Sequence, residues 1–295
     1  MRGLRLVLLL SLYTSLTSAV FGQSGVGVEI DDVTDNRVSA GGFTGQLELR
    51  VKLTGTGLDK ATAARIVVKD ARDDRGTVLA DGKSDPPDFF PREYNSGTLN
   101  FTVSQPARAA STVRLKGTVE LYAPARDPNA VVKISKALSK YDTPLSSPTL
   151  KTAKITLTPL SRQGYIDARK ARKLDDKKIE EIRAEGKKRG VPDSEIETMI
   201  GLAKALEGLD EDPPEGAVIL SGKKADFDRI YRIEILGNDG KPIDTPQRGT
   251  SSRGEDSIMT IIPKEPPPAN AALQIFLITD KSKLSFPFDL KVTLP

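Results

Sequence analysis

The stretch Gln46-Leu47-Glu48-Leu49-Arg50-Val51-Lys52-Leu53 carries an apolar residue at every second position. Side chains along an extended strand point alternately to opposite faces, so this period predicts one buried face and one wet face. The same alternation runs through Thr112 to Leu121, where Gly117 marks a candidate bulge. It returns at Leu99, Phe101 and Val103, and at Ile155 and Leu157. A second strand-rich part begins near Ala217, with Ile233 and Ile235, then Leu273, Ile275 and Leu277, then Leu284 to Leu294. Turn residues separate the runs at intervals of about ten residues, the spacing of an antiparallel sandwich. Asn238-Asp239-Gly240 is the strongest turn signal, because such residues tolerate the positive φ that hairpin turns require.

The two strand-rich parts align as copies. With a shift of 160 residues Phe101 meets Ile261, Pro106 meets Pro266, Val113 meets Leu273 and Leu115 meets Ile275. Asp74-Arg75-Gly76 parallels Asn238-Asp239-Gly240, and Ile155 to Pro159 parallels Val292 to Pro295. An internal duplication follows as an expectation. By strand spacing, 24–160 and 217–295 resemble the immunoglobulin-like and fibronectin-III-like β-sandwich modules of secreted proteins, without the buried Trp or paired Cys of antibody domains. The expected fold is mainly β: two antiparallel sandwich modules connected by an α-helical hairpin over 164–208, with an acidic, proline-containing linker over 209–216.

The helical segment has marked ends. Asp175 or Asp176 opens a first helix, and Gly190 closes it. Ser194 and Glu197 have capping-box spacing for a second, whose apolar face would be Ile196, Met199, Ile200, Ala203 and Leu206, with Gly208 at its end. Residues 165–190 hold ten Lys or Arg and six Asp or Glu, net +4; residues 191–212 hold one and seven, net −6. A basic helix beside an acidic one predicts charge satisfied within the pair rather than a patch for an outside partner.

The N-terminal run has Arg2 and Arg5, an apolar stretch from Leu6 to Leu16, then small residues up to Gly22. This is the form of a secretory signal over 1–22, and it predicts a secreted or periplasmic protein with no membrane span after cleavage. Removing the two arginines takes the formal charge from +4 to +2, which argues against a nucleic-acid partner. There is no cysteine, so the core alone must hold the fold.

Histidine is absent as well. That removes Ser-His and Cys-His nucleophile systems, thiol catalysis and zinc-thiolate sites. Ser221-Gly222-Lys223-Lys224 matches S-x-x-K, but neither S-D-N nor K-T-G accompanies it. No cofactor is implied. Calcium would find candidate ligands in Asp31, Asp32 and Asp35, although the D-x-[DN]-x-[DN]-G loop is missing. The loop from Asp81 to Tyr94 sets Phe89, Phe90, Arg92 and Tyr94 among prolines, and such residues anchor interfaces. The expected function is a non-enzymatic interaction or structural module of a surface or envelope, with an unknown protein or surface partner. The competing expectation is a carboxylate-dependent hydrolase, with its site at a sandwich end or between modules.

Overall fold

The computed structural model describes residues 25–36, 45–92, 97–172, 176–208 and 213–295. The signal-like run 1–22, Tyr94 and residues 209–212 of the expected linker lie outside them. No helix among the described residues is long and apolar enough to cross a membrane.

The chain is mainly β. In order it forms β1 (Gly27–Asn36), β2 (Gln46–Thr54), β3 (Ala63–Asp73), β4 (Val78–Ala80), β5 (Phe90–Pro91), β6 (Thr98–Ser104), β7 (Thr112–Tyr122), β8 (Val131–Ile134), α1 (Pro148–Ala153) and β9 (Leu157–Leu160). Three helices follow, α2 (Arg162–Arg172), α3 (Asp176–Lys188) and α4 (Asp193–Gly208). Then come β10 (Val218–Lys223), α5 (Lys224–Phe227), β11 (Ile230–Leu236), β12 (Gln247–Arg253), β13 (Asp256–Ile262), β14 (Ala272–Leu277) and β15 (Lys283–Thr293).

The strands make four antiparallel sheets, which share cores in two pairs. In the first pair the sheet β1-β2-β6 faces β15-β7-β3-β4, with β5 also on β3. Alternation does what the sequence requires: Leu47, Leu49, Val51 and Leu53 are buried, and the residues between them are exposed. They meet Val113, Leu115, Val119 and Leu121 of β7 across the layer. Each such burial contributes about 1.5–3 kcal/mol. In the second pair β12-β13-β10-β9 faces β11-β14-β8, over a core that includes Leu220, Ile235, Ile261, Leu273 and Leu150 of α1.

The sheets do not divide where the sequence suggested. The C-terminal strand β15 pairs along its whole length with β7 of the first pair, while β8 pairs with β14 and β9 with β10 in the second. The boundaries 24–160 and 217–295 therefore do not divide the sheets: the second pair takes β8 and β9 from the first part of the chain, and the first pair takes β15 from the second. The cause lies in the connections. After β7 the chain runs through two tight turns opened by Pro124 and Pro128, which carry it onward to β8 instead of back in a hairpin. After β14, Thr279 to Ser282 turns it toward β7. The two links bond to each other: the Thr279 hydroxyl donates to Asp127 at 2.6 Å, and the Ala123 amide donates to the Ser282 carbonyl at 2.8 Å.

The bulge expected at Gly117 is on the opposite strand, where Lys69 is the extra residue between Val68 and Asp70. Gly117 has another reason. A Cβ there would lie 2.4 Å from the Val67 carbonyl oxygen and 2.7 Å from the Phe288 ring. The turn at Asn238-Asp239-Gly240 forms, with Gly240 at φ 76°. The ladder after it stops at the Leu236–Pro242 bridge, and β12 joins the other sheet.

The helices also sit differently. They are inserted between β9 and β10, which are neighbours in one sheet, so they do not run from one sheet pair to the other. α3 and α4 pack through Ile179, Ile196 and Ile200. Gly190 ends α3 as expected: its amide donates to Lys187 and that of Val191 donates to Gly186, the paired bonds of a Schellman closure. The Ser194–Glu197 capping box is not made. α4 begins at Asp193, so Ser194 is already inside the helix; Glu197 reaches across to Arg183 of α3 at 2.7 and 3.1 Å, and the charge pairing between helices is realised. The apolar face is narrower than expected. Ile196 and Ile200 are buried, whereas Met199 is 61% exposed, because α3 covers only one flank of α4.

Candidate functional site

A groove of about 1420 Å³ runs along the side of the first sheet pair, between β6 and the β3–β4 edge. That exceeds the usual range of about 300–1,000 Å³ for small-ligand pockets, and the shape is elongated. Its floor is apolar, from Ile66, Val68, Leu79, Leu99 and Val103, and its outer wall is the loop from Asp81 to Phe90.

The loop owes its path to a few residues. β4 pairs with β3 only at Ala71 and Arg72, and β5 only at Ala63 and Ala64. Between them the chain arches away. Gly82, at φ 70°, passes so close to Lys69 that a Cβ would lie 2.6 Å from its carbonyl oxygen. The Asp81 carboxylate accepts from the Lys83 amide at 3.2 Å and closes the turn. Pro86 and Pro87 have no N–H and cannot extend the ladder. The Pro87 carbonyl instead accepts from Arg65 at 3.1 Å.

The four aromatic and basic candidates part company here. Phe89 and Phe90 are adjacent on a short strand and so face opposite ways. Phe89 is 8% exposed and buried at the junction of the sheet pairs, against Tyr122 and Tyr231, with the Arg65 guanidinium 4.3 Å from its ring centre. It is a packing residue, not an exposed anchor. Phe90 is 51% exposed and lines the groove. Arg92 donates to the Leu58 and Ala61 carbonyls and pins the neighbouring loop. Tyr94 lies outside the described residues. Of the three described, Phe90 alone is placed on the groove.

The calcium candidates are not gathered into a site. Asp31 pairs with Arg50 at 2.5 Å, and Asp32 lies 3.9 Å from the same guanidinium. Asp35 is further along β1. Among the described residues no group of three or more metal-ligating side chains is drawn together.

Electrostatics give the groove an acidic rim. Asp81 is held below the usual carboxylate range by the Lys83 ammonium that bonds to it, and Lys83 is raised in turn. Asp85 lies 3.5 Å from Lys224, while Asp88 has no ion-pair partner among the described residues. Behind the loop, burial works to raise Glu120. The Arg65 hydrogen bond and charge, with help from Lys283, outweigh it and hold the carboxyl low. Burial also pushes the Tyr122 phenol well up, so it stays neutral beside Ala130.

Sequence reasoning singled out the loop but missed the strand opposite it. The signal was present in Pro86 and Pro87, which bar that segment from pairing with β6. The chain matches no family model, no curated protein and no solved structure.

Proposed function

We propose that the protein is a secreted or envelope-located, non-enzymatic interaction protein, built of two immunoglobulin-like β-sandwich modules that arose by duplication and exchange one strand each. Strand order supports the module reading. The second sheet pair has the order β9-β10-β13-β12 against β11-β14-β8, which is the A-B-E-D and C-F-G order of a constant-type immunoglobulin sandwich. The first has β1-β2-β6 against β15-β7-β3-β4, the same scheme with D absent and an extra short strand beside C.

The bulges support duplication. Lys69 bulges opposite the Gly117–Lys116 step, and Tyr231 bulges opposite the Leu277–Phe276 step. These steps are related by the same shift of 160 that aligns Phe101 with Ile261. Bulges are retained within families, so a shared one favours common origin. The parallel of Ile155 to Pro159 with Val292 to Pro295 is not matched by strand position, since β9 occupies the A place and β15 the G place.

The observation that carries the binding reading is the groove itself. It is bounded by a strand edge, proline-stiffened backbone and three aspartates, of which Asp81 is held low by the Lys83 ammonium that bonds to it. A carboxylate-dependent hydrolase needs an acid pushed upward to donate a proton. The N-terminal signal-like run supports export. The test is crosslinking of the protein in its native cells with identification of partners, beside turnover assays on the purified protein. Reproducible partners support the reading. A turnover abolished by changing one acid would replace it with the hydrolase.

A further inference from the structure

We propose that the β6 edge takes an extended peptide from another polypeptide, one with apolar side chains at alternate positions and Lys or Arg between them, which joins the β1-β2-β6 sheet as a fourth strand. The inference rests on the binding reading above and names the class of partner.

The phase of the β2–β6 ladder leaves groups available. The Leu53 amide donates to the Gly97 carbonyl at 2.7 Å. In antiparallel pairing, hydrogen-bonded and non-bonded positions alternate, so Leu99, Phe101 and Val103 turn their backbone groups toward β2. Asn100, Thr102 and Ser104 turn theirs outward, into the groove. Among the described residues β6 pairs with β2 alone, and these outward groups meet no partner.

The second sheet pair indicates what belongs there. At the corresponding edge β13 carries β12 along seven residues, from Gln247 opposite Ile262 to Arg253 opposite Asp256. β12 has the sequence QRGTSSR, with two arginines and no acid. Among the described residues the first pair has no such strand, and its groove runs along β6, seven residues or about 24 Å. Charge chooses the complement. Asp85 and Asp88 line the wall; Asp85 lies 3.5 Å from Lys224, Asp88 has no ion-pair partner among the described residues, and Arg65 of the groove lining is already engaged by Glu120 at 2.7 Å. Phe90 and Val78, 51% and 46% exposed, offer apolar contact at the rim for the alternate side chains. Strand addition of this kind draws affinity from main-chain bonds and selectivity from side-chain pockets.

The experiment uses the full chain and fluorescein-labelled peptides, read by anisotropy. The probes are TVKVRVT, its acidic counterpart TVEVEVT, and two forms of TVKVRVT methylated on complementary sets of alternate backbone nitrogens. TVKVRVT is expected to bind, and TVEVEVT to bind at least about tenfold more weakly, the gap closing as salt screens the rim. One methylated form is expected to lose at least about tenfold in affinity and the other to keep it, since only one set of amides faces β6. Thr102→Pro removes an outward N–H without touching the β2 ladder and is expected to lose peptide binding with its melting temperature kept. Should that variant fail to fold, the methylated pair decides alone. No binding of TVKVRVT, equal binding of both methylated forms, or equal binding of the acidic peptide overturns the proposal. So does a dimer of the chain that Thr102→Pro dissolves, because the occupant is then a second copy. Cell crosslinks that survive Thr102→Pro sink this inference and leave the binding reading standing.

Discussion

The two sheet pairs treat the same edge in opposite ways. In the second, β13 is covered by β12, a strand so polar that six of its seven residues are exposed. In the first, the segment that precedes β6 contains Gly82, Pro86 and Pro87 and arches over β3, and among the described residues β6 pairs on one side alone. A bare edge invites pairing with other chains, and proteins ordinarily cover or charge it. Here the covered edge is closed by short polar residues. The open one is guarded by aspartates and walled by a proline loop, which restricts what can reach it. Two similar strand orders thus differ at one edge, and the difference lies in the 17 residues between the short strand β4 and β6.

The comparison breaks most visibly if β15 is removed. A chain ending at Ser282 loses eleven residues that pair with β7. The first sheet pair is expected to unfold and the second to survive, which amide exchange with mass spectrometry would resolve. Loss of protection in β10 to β14 instead would mean that the C-terminal strand serves its sequence neighbours. Gly117→Val comes next. The added carbons would press on the Val67 carbonyl and the Phe288 ring, whereas position 277, which is 160 residues on, already holds a buried Leu. A loss of about 3 kcal/mol or more in denaturant unfolding is expected, confined to the first pair.

Asp127→Ala sharpens the comparison from the junction. It strips the acceptor from the Asn129 amide at 2.9 Å and from the Thr279 hydroxyl at 2.6 Å. A cost of about 1–3 kcal/mol is expected, spread over both sheet pairs, because both crossing links lose their tie. The smallest effect is in acid. The Thr279 hydroxyl and the Asn129 amide lower Asp127; burial works to raise Asp73, but the Ala107, Thr77 and Arg75 amides outweigh it and lower that group too. A folded value below the unfolded value of about 3.9 contributes stability that is complete above that pH and is lost as pH falls through the folded value. Denaturant midpoints are expected to be flat near neutrality and to decline below about pH 4, with a shallower decline in Asp127→Ala.

Much of the secondary structure was legible because alternation is local. Leu47 through Leu53 and Val113 through Leu121 announce strands, and both are strands with the expected faces inward. Gly190 announced the end of a helix and made it. Expectations failed where one residue had two physical options. Ser194 and Glu197 had cap spacing, but the helix opens one residue earlier, at Asp193, and Glu197 takes Arg183 as a bidentate partner across the hairpin. Phe89 and Phe90 look alike in sequence, yet one strand step sends the first into the core and the second into the groove.

The sequence by itself determined that this chain would be built of antiparallel strands, with a helical insertion over about 164–208, and with neither imidazole nor thiol chemistry. Residue type and short-range period suffice for that, since each depends on a side chain and its near neighbours. Only the tertiary structure decided which sheet each strand joined, that β8 and β15 changed places, and that β6 kept an open edge. An amphipathic strand specifies a face but no partner. Partner choice follows from the reach and stiffness of the links, from Pro124, Pro128 and the Asp127–Thr279 bond, and those act over distances that no local pattern records.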